Sequence, residues 1–216
     1  MGLRLFNAPA LPKPPDGYEP GYFKQLTRIL GLYFSQLDSL TPVQSEYFYG
    51  SGVFLTHPYA EAVSNTNQTA ASTTLAYVVT FDTLPNSNDI TLTSGTKLTI
   101  ATAGIYLVTI CLQMSNDTNG TETMDIWLRQ NGTNIANSNN RYAVAARKGA
   151  GNPAIFASST ALTVTVAAGD YLEVVWHVSA TTLSLLAIAA IAASGATPAI
   201  PATPSVVVSI HFISSS

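Results

Sequence analysis

The spacing of apolar residues changes once along this chain, and the change divides it in two. From Tyr22 to Leu40 the apolar positions Tyr22, Leu26, Ile29, Tyr33, Leu37 and Leu40 are separated by 4, 3, 4, 4 and 3 residues. That spacing places them on one stripe of a helix, which Leu30, Leu32 and Phe34 widen. A helix this short and apolar is marginal alone in water. It needs cover from copies of itself, from the rest of the chain or from a larger assembly. Thr41-Pro42 ends it, because the residue before a proline is pushed out of the helical region. Upstream, Pro9, Pro12, Pro14, Pro15 and Pro20 remove donors and favour extended backbone. This segment is either an arm that orders on a partner surface or a disordered tail.

From Val43 onward the period is 2. The pattern predicts strands over Thr74–Phe81, Lys97–Ile100, Gly104–Met114, Glu122–Gln130, Ile155–Val166, Tyr171–Val178, Leu183–Ala190 and Val206–Ile213. Turn signals fall at Pro85-Asn86, Asn131-Gly132 and Gly169-Asp170, and Asn131-Gly132 suits a type I′ hairpin. Short strands at this density with no helix between them predict an all-β jelly-roll sandwich head over residues 43–216, behind an arm and helix over 1–42.

The strands differ in kind. In Glu122–Gln130, Met124, Ile126 and Leu128 alternate with Thr123, Asp125 and Arg129, while Trp127 falls on the polar side and requires cover. Gly104–Met114 is apolar on both faces: Ile105, Leu107 and Cys111 oppose Tyr106, Val108, Ile110, Leu112 and Met114. Leu183–Ala190 is nearly as apolar. An antiparallel sheet normally keeps one wet face, so a strand dry on both faces meets another subunit or lies under the chain's own loops. The apolar run Leu183 to Ala193 is about eleven residues long, short of the roughly twenty of a spanning helix. It reads as a buried strand entering a loop, with no membrane insertion.

Composition sharpens this reading toward assembly. Charged residues are 10% of the chain, against roughly 25% in an average soluble domain, and Thr, Ser, Asn and Ala replace them. A net charge of −3 with scattered basic residues offers no stripe for nucleic acid. The single cysteine, Cys111, excludes an intrachain disulfide and reads as a small buried hydrophobe. Met1 to Pro15 lacks the apolar run of a secretory signal. The Asn-x-Ser/Thr matches at Asn67, Asn116, Asn119 and Asn131 therefore read as turn chemistry.

Candidate chemistry is sparse. His177 and His211 lie in predicted strands without further ligands at metal spacing, and His57 sits in a loop before Pro58. Asp82, Asp89, Asp117 and Asp125 form no calcium loop, and Gly149-Ala150-Gly151 lacks the Lys-Ser/Thr of a phosphate loop. No nucleophile-elbow or zinc-protease pattern is present. The expectation is a non-enzymatic protein without a cofactor or a metal.

Three segments resemble known ones. Leu98-Thr99-Ile100 with Ala103-Gly104-Ile105-Tyr106 resembles the "aGxY" strand opening of trimeric jelly rolls, the tumour-necrosis-factor-like and complement-globular-head domains. Leu128-Arg129-Gln130-Asn131-Gly132 resembles their strand ending in an Asn-Gly hairpin. Val164-Thr165-Val166 through Ala168-Gly169-Asp170-Tyr171-Leu172 resembles their "LxVxxGDxL" strand pair. The ends resemble tailed-bacteriophage virion proteins. Leu11-Pro12-Lys13-Pro14-Pro15 with Tyr22-Phe23, Leu26, Leu32-Tyr33-Phe34 and Gln36-Leu37 looks like a leader of that kind. Thr197-Pro198-Ala199-Ile200-Pro201, then Ser205-Val206-Val207-Val208, is similar to the closing strand "PAIPSVIV" of phage jelly-roll knobs, with Ala202-Thr203-Pro204 inserted.

The resemblance implies a homotrimeric virion component: a capsid decoration or head fibre, or a small tail fibre. Tyr22, Leu26, Ile29, Tyr33 and Leu37 would anchor it to other virion proteins. Tyr106, Val108, Ile110, Leu112, Leu185 and Ile188 would line the trimer interface. The alternative is a receptor-binding module. In that reading the polar turns Asn86–Asp89, Asn116–Gly120 and Asn137–Asn140, with Tyr142 as the candidate aromatic, contact a host surface glycan or protein.

Overall fold

The computed structural model describes residues 57–215, the stretch 19–37, and residues 4, 5, 13, 17, 43 and 44. The chain divides into two compact units, Met1–Ser51 and Gly52–Ser216. In the first, helix α1 spans Pro20–Leu37. It begins two residues before the expected Tyr22 because Pro20 suits the first helical position, where no N–H is needed. The Glu19 carbonyl accepts from Tyr22 N at 3.1 Å. Of the expected stripe, Tyr22, Leu26 and Ile29 are half-buried. The side chains of Tyr33 and Leu37, and residues 38–42, lie outside the described residues. β1 (Arg4–Leu5) pairs in parallel with β2 (Val43–Gln44), which places 43–44 with the first unit rather than with the head. Among the described residues no helix is long and apolar enough to cross a membrane.

The second unit is all β. In chain order its strands are β3 (Tyr59–Ser64), β4 (Gln68–Thr69), β5 (Tyr77–Val78), β6 (Thr83–Asn88), β7 (Ile90–Thr93), β8 (Lys97–Ile100) and β9 (Gly104–Asn116). There follow β10 (Glu122–Gln130), β11 (Thr133–Asn134), β12 (Asn140–Val144), β13 (Ala154–Val166), β14 (Tyr171–Val178), β15 (Leu183–Leu185) and β16 (Val206–Ser214). One sheet runs β11-β10-β14-β8-β7, with β12 on β10 and β5 on β14. The other runs β4-β15-β9-β16-β3-β6, with β13 on β9. Long strands alternate between the sheets along the chain, and the last strand, β16, pairs with both β3 and β9. This is the jelly-roll sandwich that the period-2 pattern predicts.

Three sequence expectations change. Pro85-Asn86 is not a turn but lies inside β6, an outermost strand, where proline's missing N–H is tolerated. Thr74–Phe81 contains only the two-residue β5. Leu183–Ala190 is paired as a strand only over Leu183–Leu185; beyond it the chain forms a two-stranded arm held by bridges at Ile188–Thr203, Ile191–Ile200 and Ser194–Thr197.

The core fills the space between the sheets. From one side come Tyr106, Val108, Ile110, Leu112 and Met114 of β9 with Val206, Val208 and Ile210 of β16; Met124, Ile126, Leu128, Val174 and Trp176 face them. The segments that resemble jelly-roll motifs have physical roles here. A Cβ at Gly104 would lie 2.5 Å from a Phe212 ring carbon and 2.8 Å from the Ser214 carbonyl oxygen, so only glycine lets β16 pass. Tyr106 is buried in the core and donates its hydroxyl to the Thr102 carbonyl at 2.7 Å. Burial, aided by the Asp89 charge, pushes that hydroxyl's pKa up.

Asn131 and Gly132 both adopt positive φ, 50° and 79°, as a type I′ turn demands. Asp170 accepts from Asn131 Nδ2 at 2.6 Å, Gln130 Nε2 at 2.7 Å and Ala167 N at 2.8 Å, tying the two turn motifs together. These donors, the Asn131 amide first, hold the Asp170 carboxyl below its ordinary range.

Candidate functional site

The two outer faces of the sandwich carry different side chains. On the β9 sheet, register aligns three outward rows: Thr163–Leu107–His211–Tyr59, Ala161–Thr109–Ser209–Glu61 and Ser159–Cys111–Val207–Val63. Glu61 is the only Asp, Glu, Lys or Arg in these rows. On the β10 sheet the outward positions include Lys97, Asp125, Arg129, Arg141, Glu173 and His177, with Asp125 in register with both Arg141 and His177.

This arrangement corrects the expected trimer interface. Tyr106, Val108, Ile110, Leu112 and Leu185 are at most 3% exposed, because they are the inner positions that fill the chain's own core. A single sandwich uses one face of β9 for itself. The more continuous apolar set turns inward, and Ile105, Leu107, Thr109 and Cys111 are left facing out. Of the expected set only Ile188, 37% exposed, is open. Cys111 likewise is not buried; it is exposed on this outer face, 3.4 Å from Ser159 Oγ.

Ile188 stands on the arm formed by residues 186–204. No Asp, Glu, Lys or Arg follows Glu173 anywhere in the chain. In the arm Ile188, Ile191 and Ile200 are exposed large hydrophobics. The paired positions recur every third residue on both strands, and Ala, Pro and Gly fill most of the positions between. The arm's base is tied down by Asn67, whose Oδ1 accepts from Ala187 N at 2.7 Å.

On the charged face a cleft of about 340 Å³ opens between β10, β12 and the 134–139 loop. Its floor is Asp125, whose carboxylate accepts a fork from Arg141, Nε at 2.8 Å and Nη2 at 3.0 Å, and a third bond from Asn139 Nδ2 at 3.1 Å. The Arg141 bond, then that of Asn139, holds the Asp125 carboxyl below its ordinary range against the opposing effect of burial. His177 Nδ1 lies 3.7 Å from the same carboxylate, while Nε2 meets the Thr73 carbonyl at 2.8 Å and so carries a proton. Trp127, half-buried, lines the cleft with its indole nitrogen donating to Asn134 Oδ1 at 2.8 Å.

Sequence reading missed this cleft. The 137–140 loop is among the expected contact turns, but the expected aromatic, Tyr142, is half-buried and packs against Phe156 with ring centroids 6.1 Å apart. The available signal was Trp127 on the polar side of an alternating strand.

The remaining candidates do not converge. His177 and His211 belong to different sheets, and among the described residues no group of three His, Cys, Asp or Glu is placed to hold a metal. Asp117 pairs with Arg147 at 3.1 Å, and Asp89 accepts from Thr102 at 3.3 Å. The four Asn-x-Ser/Thr asparagines are structural ties. Asn116 is fully buried and donates to the carbonyls of Gly120, Val144 and Ala145, while Asn119 accepts from Arg147. No protein-family model and no curated protein matches this sequence.

Proposed function

We propose that this protein is a structural virion component that assembles as a homotrimer through its sparsely charged face and arm, with the N-terminal segment attaching it to other virion proteins. The observation that carries the reading is the charge-free, isoleucine-bearing arm of residues 186–204. A contiguous apolar surface of this kind marks an interaction site. Magnitudes argue that the arm does not act alone. Covering what remains exposed of Ile188, Ile191 and Ile200 returns about 1 kcal/mol each, whereas association costs about 4–15 kcal/mol. The outward Ile105, Leu107, Val207 and Val63 of the β9 sheet, half-buried in the single chain, add apolar area to such a contact. The virion setting is supported by the resemblance of both chain ends to phage proteins, and the anchoring role by the half-buried stripe Tyr22, Leu26 and Ile29 on α1.

Light scattering on the intact chain tests the assembly: the expected mass is that of three chains, and a stable single chain refutes it. Removing residues 1–40 is expected to leave that mass per head unchanged while abolishing attachment to particles. Full attachment of the shortened chain refutes the anchoring role.

A further inference from the structure

The cleft on the charged face is built from one chain and stands apart from the assembly reading. We propose that it is a binding site for a neutral pyranose sugar. Its volume, about 340 Å³, falls within the roughly 300–1,000 Å³ of small-molecule sites. One wall is Trp127. With its indole nitrogen occupied by Asn134, what it offers the cleft is ring carbon, a flat apolar surface that suits the C–H face of a pyranose. Arg129 Nε also donates to Asn134 Oδ1, at 3.3 Å, which fixes the amide that orients the indole.

The other wall is polar in a way that suits hydroxyls. Asn137, held at φ 62°, lines the cleft, and among the described residues its amide has no hydrogen-bond partner. Arg141 is an exposed side chain that spends only Nε and one Nη2 hydrogen on Asp125, so its other N–H groups face solvent. Asn139 commits its nitrogen to Asp125 and retains its oxygen as an acceptor. Donors and acceptors thus both line the cleft with one aromatic residue.

Charge selects among ligands. The Arg141 guanidinium is matched by the Asp125 carboxylate, which His177 also faces, and Arg129 behind Asn134 stands in register with Glu173, so each cation at the cleft has an acidic neighbour and little is left to draw a sulfate, phosphate or sialic carboxylate. A neutral polyhydroxyl ligand fits both the balance and the amides.

The chain has two tryptophans, and Trp176 is 1% exposed in the core, so ligand-dependent emission reports on Trp127. The test titrates the intact protein with glucose, galactose, mannose, N-acetylglucosamine and N-acetylgalactosamine, each as free sugar and as oligosaccharide. The expected result is saturable quenching or shift by at least one of them. Affinity should fall at least tenfold in Asn137→Gly, which removes the amide and suits the positive φ, and binding should disappear in Trp127→Ala. Trp127→Phe keeps an aromatic wall should the alanine variant fail to fold, and is expected to retain weakened binding by calorimetry. No saturable response to any of these sugars overturns the proposal. So does affinity unchanged in Asn137→Gly, or tighter binding of sialyllactose or of an acidic peptide than of every neutral sugar.

Discussion

The outer faces of the two sheets share a core and a strand geometry, yet one carries Lys97, Arg129 and Arg141, with Asp125 and Glu173 buried among them, while the aligned rows of the other carry Glu61 alone. A face meant for water bears charge, because charge holds a protein in solution and apart from its copies. A face built from Thr, Ser, Ala, Leu and Val tolerates dehydration, since its hydroxyls and methyls lose little on leaving water compared with an ionised group. The same sandwich therefore has one side suited to solvent and ligands and one suited to contact with another protein surface. The arm, free of charge and bearing exposed isoleucines, continues the second kind of surface.

The comparison breaks most sharply if further charge is forced onto the sparsely charged face. Leu107→Lys combined with Val207→Lys places a cation in each of two outward rows on neighbouring strands, one opposite His211 and one opposite Cys111. An unpaired charge buried at an interface costs about 3–5 kcal/mol, so the dissociation constant is expected to rise ~100-fold or more. Sedimentation equilibrium reads this as a shift toward single chains with the β circular-dichroism signal intact. An unchanged mass would show that this face remains in water.

Acid sharpens the contrast with a smaller effect. Asp125 and Asp170 belong to the charged sheet and its turns, and both carboxyls titrate below their ordinary range when folded. Their contribution is therefore complete above the unfolded value, near pH 4, and is lost as pH falls through the lower folded values. The melting temperature is expected to fall by about 2–4 °C or more below pH 4. Asp125→Asn with Asp170→Asn should melt lower at neutral pH and show a flatter acid slope. A slope as steep as the parent's would assign the acid loss to other groups.

The smallest effect is the control. Thr91→Lys adds a cation at an exposed outward position of β7 on the charged sheet. It is expected to change stability by about 0.5 kcal/mol or less and to leave the mass untouched. A mass change equal to that of the Leu107 and Val207 pair would erase the distinction between the faces.

Much of the fold is legible in the residues. Lys97–Ile100, Glu122–Gln130 and Tyr171–Val178 are strands with the boundaries their alternation predicts, and Asn131-Gly132 is the turn its dipeptide demands. β3 and β6 are not, because the inward positions of Tyr59–Ser64 are only Ala60, Ala62 and Ser64, and Thr83–Asn88 is polar with an internal proline. Their strand character comes from pairing, with β16 on one side of β3 and β6 on the other. The cleft is half legible: Trp127 and the 137–140 asparagines stand out separately in the sequence, but they are ten or more residues apart and meet only because β10 turns back through β12.

What the sequence by itself determined was the division into a helical segment and a β segment, the jelly-roll class, the I′ turn and the scarcity of charge. All of these follow from local periodicity, turn chemistry and composition, which depend on neighbours in the chain. What only the tertiary structure decided was which face of β9 is inside, where residues 186–204 project, and that Asp125, Arg141, Asn139 and Trp127 share a cleft. A strand apolar on both sides carries no local mark of its inward face. That choice is made when the opposing sheet, supplied by residues distant in sequence, covers one side and leaves the other open.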